Sequence, residues 1–130
     1  MTEEKETMQQ CMIHPTAIID PQAKIGAGVK IGPYAVIGPH VTIGDGTEIM
    51  AHVVIDGWTT IGKNCRFFPS ASIGSEPQDL KFKGEKSYVI IGDRSVFREY
   101  VTVSRATGEG EETRIGSDCL FQACTHVAHN

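Results

Sequence analysis

Aromatic residues make up only 7% of the 130 residues and tryptophan occurs once, so a globular centre built on packed rings is not available to this chain. Clusters of basic residues are also missing. The net charge of -4 and the pI near 5.7 argue against nucleic acid as a main partner. Apolar runs extend for a few residues and never approach the roughly 20 needed to span a membrane. The opening segment is polar and charged, which excludes a secretory signal peptide and sets residues 1–12 apart as a mobile leader. Residues 13–130 form one domain.

What is present is a repeat. From Ile13 an isoleucine, or a residue that can replace it, returns every six positions through Ile19, Ile25, Ile31, Ile37, Ile43, Ile49, Ile55, Ile61, Phe67 and Ile73. The column continues at Ile91, Phe97, Val103, Ile115, Phe121 and Val127, and only Asp79, Glu85 and Glu109 interrupt it. A period of six fits neither an α-helix nor a coiled coil. It fits a strand-plus-corner unit in which the residue two places earlier shares the inward face, because strand side chains alternate. Three units close a triangular coil, and coils stack as a parallel β-helix, an all-β fold. Glycine follows the repeat residue at eight positions, where a turn with φ values resisted by other residues is expected.

The interruptions fall into place if residues 77–88 and 107–112 are extruded as loops. Counting the remaining units puts Phe67, Phe97 and Phe121 on one side, where they stack. Both loops and the final His129 then share another side. At roughly 4.8 Å per coil, about 10 Å separates the root of the long loop from His129, a gap that the loop can cover.

Four cysteines are present, and no pair has the spacing of zinc ligands. Cys11, Cys65 and Cys119 occupy inward slots and Cys124 faces outward, so packing is their role and a reducing cytoplasm the simplest compartment. His14, His40 and His52 fall at solvent-facing or corner positions. His126 and His129 share one short stretch on the loop-bearing side, where an imidazole can act as general base. In the long loop, Lys81 or Lys83 suits a phosphate, Asp79 a sugar hydroxyl and Gln78 an amide. The shorter loop, Thr107 to Glu112, is read as a turn.

Several stretches resemble one family. They are Ile13 to Ala17, Ala71 to Gly74, Gln78 to Lys81, Gly84-Glu85, Ile91 to Arg94, Arg98-Glu99, Val101-Thr102, Gly116 to Asp118 and His126 to His129. Together they look like the acyl-carrier-protein:UDP-N-acetylglucosamine O-acyltransferases, over nearly the whole chain after the leader. The resemblance implies a left-handed β-helix, a cytoplasmic homotrimer with clefts between subunits, and no metal or organic cofactor. It also implies transfer of a 3-hydroxyacyl group from acyl carrier protein to the sugar 3-position, the first step of lipid A synthesis. His129 would be the general base, with Gln78, Asp79, Lys81, His126 and Ser104 binding substrate. Asn130 stands where the family commonly has Asp, Ser104 where histidine or asparagine is frequent, and Ala106 where glycine is usual. The family's later coils and C-terminal helical region are absent, so the chain corresponds to an N-terminal half and is expected to be inactive alone. A γ-type carbonic anhydrase-like zinc enzyme and a non-catalytic scaffold are the competing readings; the pathway's N-acyltransferase ranks lower because it carries an additional domain.

Overall fold

The computed structural model describes residues 11–129, and among them there is no helix. Seventeen short strands form three parallel sheets, each the wall of a triangular prism. The first wall stacks Met12–Ile13, Lys30–Ile31, Glu48–Ile49, Arg66–Phe67, Val96–Phe97 and Leu120–Phe121. The second stacks Ile18–Ile19, Val36–Ile37, Val54–Ile55, Ser72–Ser75, Thr102–Ser104 and His126–Val127. The third runs from Lys24–Ile25 through Val41–Ile43, Trp58–Ile61 and Tyr88–Ile91 to Glu112–Ile115. This is the parallel β-helix expected from the repeats, of the left-handed kind that the family resemblance implies.

Register follows the isoleucine column, because a slip of one residue would turn every inward side chain to solvent. Ile31 pairs with Ile49 and Ile49 with Phe67, while Phe67 pairs with Phe97 across the longer insertion. The three phenyl rings stack as one column, with centroids 4.7 and 5.0 Å apart. Isoleucines 37, 43, 49, 55 and 73 are fully buried, and so are the second inward residues Val29, Ala35, Val53, Cys65 and Ala71. Thr47, in the same slot, is buried because its hydroxyl donates to the Gly62 carbonyl at 2.9 Å. The wall spacing therefore accepts a small polar residue whenever a backbone carbonyl is in reach.

The glycines after the repeat residue serve a purpose other than the expected one. Of the eight, only Gly74 has positive φ. The left-handed residue lies two positions further along, at Gly28, Gly46, Tyr34, His52, Asn64, Ser70, Arg94, Tyr100, Asp118 and Cys124. At several of these corners the backbone N–H turns toward the preceding coil. His52 donates to Pro33 at 3.0 Å, Asn64 to Asp45 at 2.9 Å and Arg94 to Lys63 at 2.8 Å. Each such bond offsets about 1 kcal/mol of left-handed strain, so residues other than glycine are tolerated. The glycine is required by crowding instead. A Cβ on Gly44 would sit 2.6 Å from the Gly62 carbonyl of the next coil, and one on Gly62 2.8 Å from that of Gly92.

The strands resume on the last residue of each expected loop, at Tyr88 and at Glu112. Both insertions leave the prism at the corner between the second and third walls. Cys11 and Met12, grouped with the leader by composition, belong to the first coil. Met12 pairs with Lys30, and the Cys11 thiol donates to Gly26 at 3.1 Å. The first ten residues of the leader lie outside the described residues.

Candidate active site

The corner that carries both loops collects the chemically distinctive side chains. In the long loop, Asp79 opens a tight turn: its carbonyl accepts from the Phe82 N–H at 3.0 Å and its Oδ1 from the Lys81 N–H at 3.0 Å. An Asx turn of this kind fixes the carboxylate relative to its own backbone. The second oxygen, Oδ2, accepts from the Thr107 hydroxyl of the shorter loop at 3.1 Å. It also faces His129 Nε2, 3.7 Å away. Two segments fifty positions apart in sequence thus meet at one point, because the loop closes the vertical gap between their coils.

The environment keeps Asp79 ionised. The Lys81 backbone N–H is the strongest of the influences and holds its carboxyl below the ordinary range; burial, next in size, opposes it, and the Thr107 hydroxyl and the nearby His129 add lesser effects in the lowering direction. Side-chain exposures of 19% for Asp79 and 35% for His129 leave both reachable from solvent. The 3.7 Å separation exceeds a direct hydrogen bond.

One coil wall supplies the second histidine. His126 projects from the second wall beside Thr102, and the Thr102 hydroxyl and His126 Nδ1 share a 2.7 Å hydrogen bond. This bond orients an otherwise exposed imidazole. Gln78 and Lys81 are exposed on the loop. Ser104 is 2% exposed and sits in the wall, paired with Ser75 where the register shifts. The structure thus brings Asp79, His126 and His129 to one corner, with Gln78 and Lys81 flanking Asp79, and puts Ser104 behind it. His14, His40 and His52 are exposed; His14 and His52 lie at the corner between the first and second walls, where His52 stacks on Tyr34, and His40 lies lower on the loop-bearing edge, stacked on Trp58.

Thr107 and Thr102 were not singled out from sequence. A threonine beside a loop or within a strand carries no signal of its own; only the shared corner, which the repeat count does predict, marked the neighbourhood. Among the described residues no three histidine, cysteine, aspartate or glutamate side chains come together in a way that could hold a metal ion. The zinc reading therefore has no ligand set to rest on there. No helix among the described residues is long and apolar enough to cross a membrane.

Comparison with known proteins agrees with the fold. A family model described as the GMPPB C-terminal domain matches residues 7–130. The acyl-[acyl-carrier-protein]--UDP-N-acetylglucosamine O-acyltransferase of Chlamydia abortus is 50% identical over 118 residues, 91% of this chain and 42% of that protein. Its counterpart in Chlamydia muridarum is 52% identical over the same span. The structure of LpxA from Acinetobacter baumannii is 48% identical and aligns with a TM-score of 0.87 over 91% of this chain and 46% of that one. A perosamine N-acetyltransferase from Caulobacter crescentus, 22% identical with a TM-score of 0.75, shares the fold alone. The chain spans less than half the length of the curated relatives it matches. A repeat-built left-handed β-helix matched along its whole described length places the chain in the family described as the GMPPB C-terminal domain, with a sequence similar to part of the UDP-N-acetylglucosamine O-acyltransferases.

Proposed function

We propose that this chain carries the acid–base part of an acyltransferase site, which moves a 3-hydroxyacyl group from acyl carrier protein to the 3-hydroxyl of UDP-N-acetylglucosamine in lipid A synthesis. The carrying observation is the approach of Asp79 to His129 across two loops and two coils. The similarity to chlamydial O-acyltransferases at about half identity supports the choice of reaction.

In this reading His129 Nε2 takes the proton of the sugar 3-hydroxyl as the oxygen attacks the thioester carbonyl. The C–S bond then breaks and the carrier thiolate leaves with the pair. An imidazolium forms beside Asp79, and the carboxylate stabilises it. That charge comes from the long loop, which answers the absence of Asp at position 130. His126, with Nδ1 engaged by Thr102, presents Nε2 to the substrate. Gln78 and Lys81 meet the sugar nucleotide, and Ser104 acts from behind the surface as a support for the wall. No metal or organic cofactor is required by these steps.

The remainder of the cleft is supplied by a second subunit. Ile18, Val36 and Val54 point outward in consecutive coils of the second wall and stay 66%, 38% and 37% exposed, an apolar stripe suited to a homotrimer. The protein acts in the cytoplasm, and this chain alone, at 42% of the relatives' length, is inactive or nearly so. The test is acyl transfer from 3-hydroxyacyl carrier protein to UDP-N-acetylglucosamine by the chain extended to the relatives' length. His129→Ala is expected to lower the rate by about 100-fold or more. Transfer at the parental rate by that variant would remove His129 from the mechanism.

A further inference from the structure

One cation near the site is held in a way that the acyl-transfer reading leaves unused. Arg105 follows Ser104 on the second wall, and its Cζ lies 5.5 Å from the Trp58 ring centroid and 5.1 Å from that of Phe82. The two rings belong to different parts of the fold, Trp58 to the third wall and Phe82 to the long loop. The guanidinium is therefore a bridge between wall and loop. Among the described residues its Nε is buried without a hydrogen-bond partner, and its Nη1 donates a long bond of 3.5 Å to the Gly74 carbonyl. Aromatic faces rather than acceptors hold this group. Room for it is made by Gly57, where a Cβ would stand 3.3 Å from Arg105 Cδ.

We propose that Arg105 is a positioning residue that latches the long loop onto the coil and thereby sets the distance between Asp79 and His129. The path is short. Phe82 is tied to Asp79 through its N–H, and Thr107, two residues beyond Arg105, donates to Asp79 Oδ2. The Arg105–Thr107 segment thus grips the Asp79 turn at its ring and at its carboxylate. A lysine can come near two rings as a point charge, as Lys86 does at 5.6 Å from Trp58 and 5.9 Å from Tyr88, but it has no flat face with which to stack on either. The catalytic significance of the latch rests on the acyl-transfer reading; its mechanical action does not.

Arg105→Ala, Arg105→Lys and Phe82→Ala are compared with the parent by two measurements that need neither acyl donor nor sugar nucleotide. The first is the rate of limited tryptic cleavage after Lys81 and Lys83, expected to rise about tenfold in Arg105→Ala and Phe82→Ala. The second is the nuclear magnetic resonance signal of the His129 ring Cε1–H. Both variants are expected to move it to the position produced by Asp79→Asn, with no further movement when Arg105→Ala and Asp79→Asn are combined. Arg105→Lys is expected to behave like Arg105→Ala. Phe82 lies on the extruded loop, so its variant reports on the latch even if the arginine variants fold poorly. Parental cleavage and parental His129 signals in Phe82→Ala would overturn the proposal, as would full retention of both by Arg105→Lys. Failure of acyl transfer in the parent would instead count against the proposed reaction and leave these results standing.

Discussion

Replacing Gly44 by alanine tests the crowding argument most directly, because the added methyl has no flexible neighbour to displace. It would meet the Gly62 carbonyl carbon and oxygen at 2.6 Å and the Lys63 nitrogen at 2.9 Å, all backbone of the next coil. Forcing those coils apart costs about 1–3 kcal/mol as overpacking. It also strains the Gly44 N–H bond to Ile61, now 2.8 Å, for about 1 kcal/mol more. Alanine recovers about 0.4–1 kcal/mol by restricting the unfolded chain. The net is a loss of about 1–3.6 kcal/mol, or roughly 4–14 °C in midpoint temperature for a chain of this size. Two controls separate the causes. Gly28 has φ +68 and nothing within 4 Å, so Gly28→Ala should cost only about 1 kcal/mol of left-handed strain. Gly116 lacks positive φ, and a Cβ there would find its nearest neighbour, Cys119 Sγ, at 4.0 Å, so Gly116→Ala should be neutral or slightly stabilising. Thermal and urea unfolding followed by circular dichroism gives the order. If Gly44→Ala costs no more than Gly116→Ala, the glycine column is not there for close approach.

Phe97 lies between two stacked rings, and Phe97→Ala should cost about 3–5 kcal/mol in urea unfolding. The Asp79 carboxyl, followed by carbon-13 resonance, should titrate below its ordinary value of 3.8, and Thr107→Val should raise that midpoint without restoring it, because the Lys81 N–H remains. Since the folded midpoint is depressed, the contribution of Asp79 is present above the ordinary value and disappears as pH falls through the folded one; loop protection against an acid-active protease should fall in the same interval. Alkylation followed by mass spectrometry should modify exposed Cys124 first and Cys65 last, as burial closes off that thiol and pushes it up.

The prism was legible in the sequence wherever burial dictates residue type. The isoleucine column, the phenylalanine stack and the common corner of the two loops all follow from counting in sixes. The left-handed corners were not legible, since their N–H groups are satisfied by the coil beneath and the side chain is free to vary from Tyr34 to Asn64 to Cys124. The glycines were visible but their reason was not, because the approach of the next coil exists only after stacking. At the site, His126, His129 and Asp79 announce themselves by residue type. Thr107 and the Phe82–Arg105–Trp58 stack do not, being defined by a meeting of distant segments rather than by spacing.

Because each coil of the uninterrupted walls takes eighteen residues, as in the Thr16 to Tyr34 contact, gene-level changes in length obey a rule of whole turns. Deleting eighteen residues below Ser72 would shorten the molecule and leave Asp79 and His129 at the same height relative to each other. Between Ile91 and His126, where a coil carries the shorter loop and Thr102 pairs with His126, a deletion must remove one whole coil together with that loop to drop the imidazole one storey toward the long loop's root, and removing a single strand unit would rotate it onto a different wall.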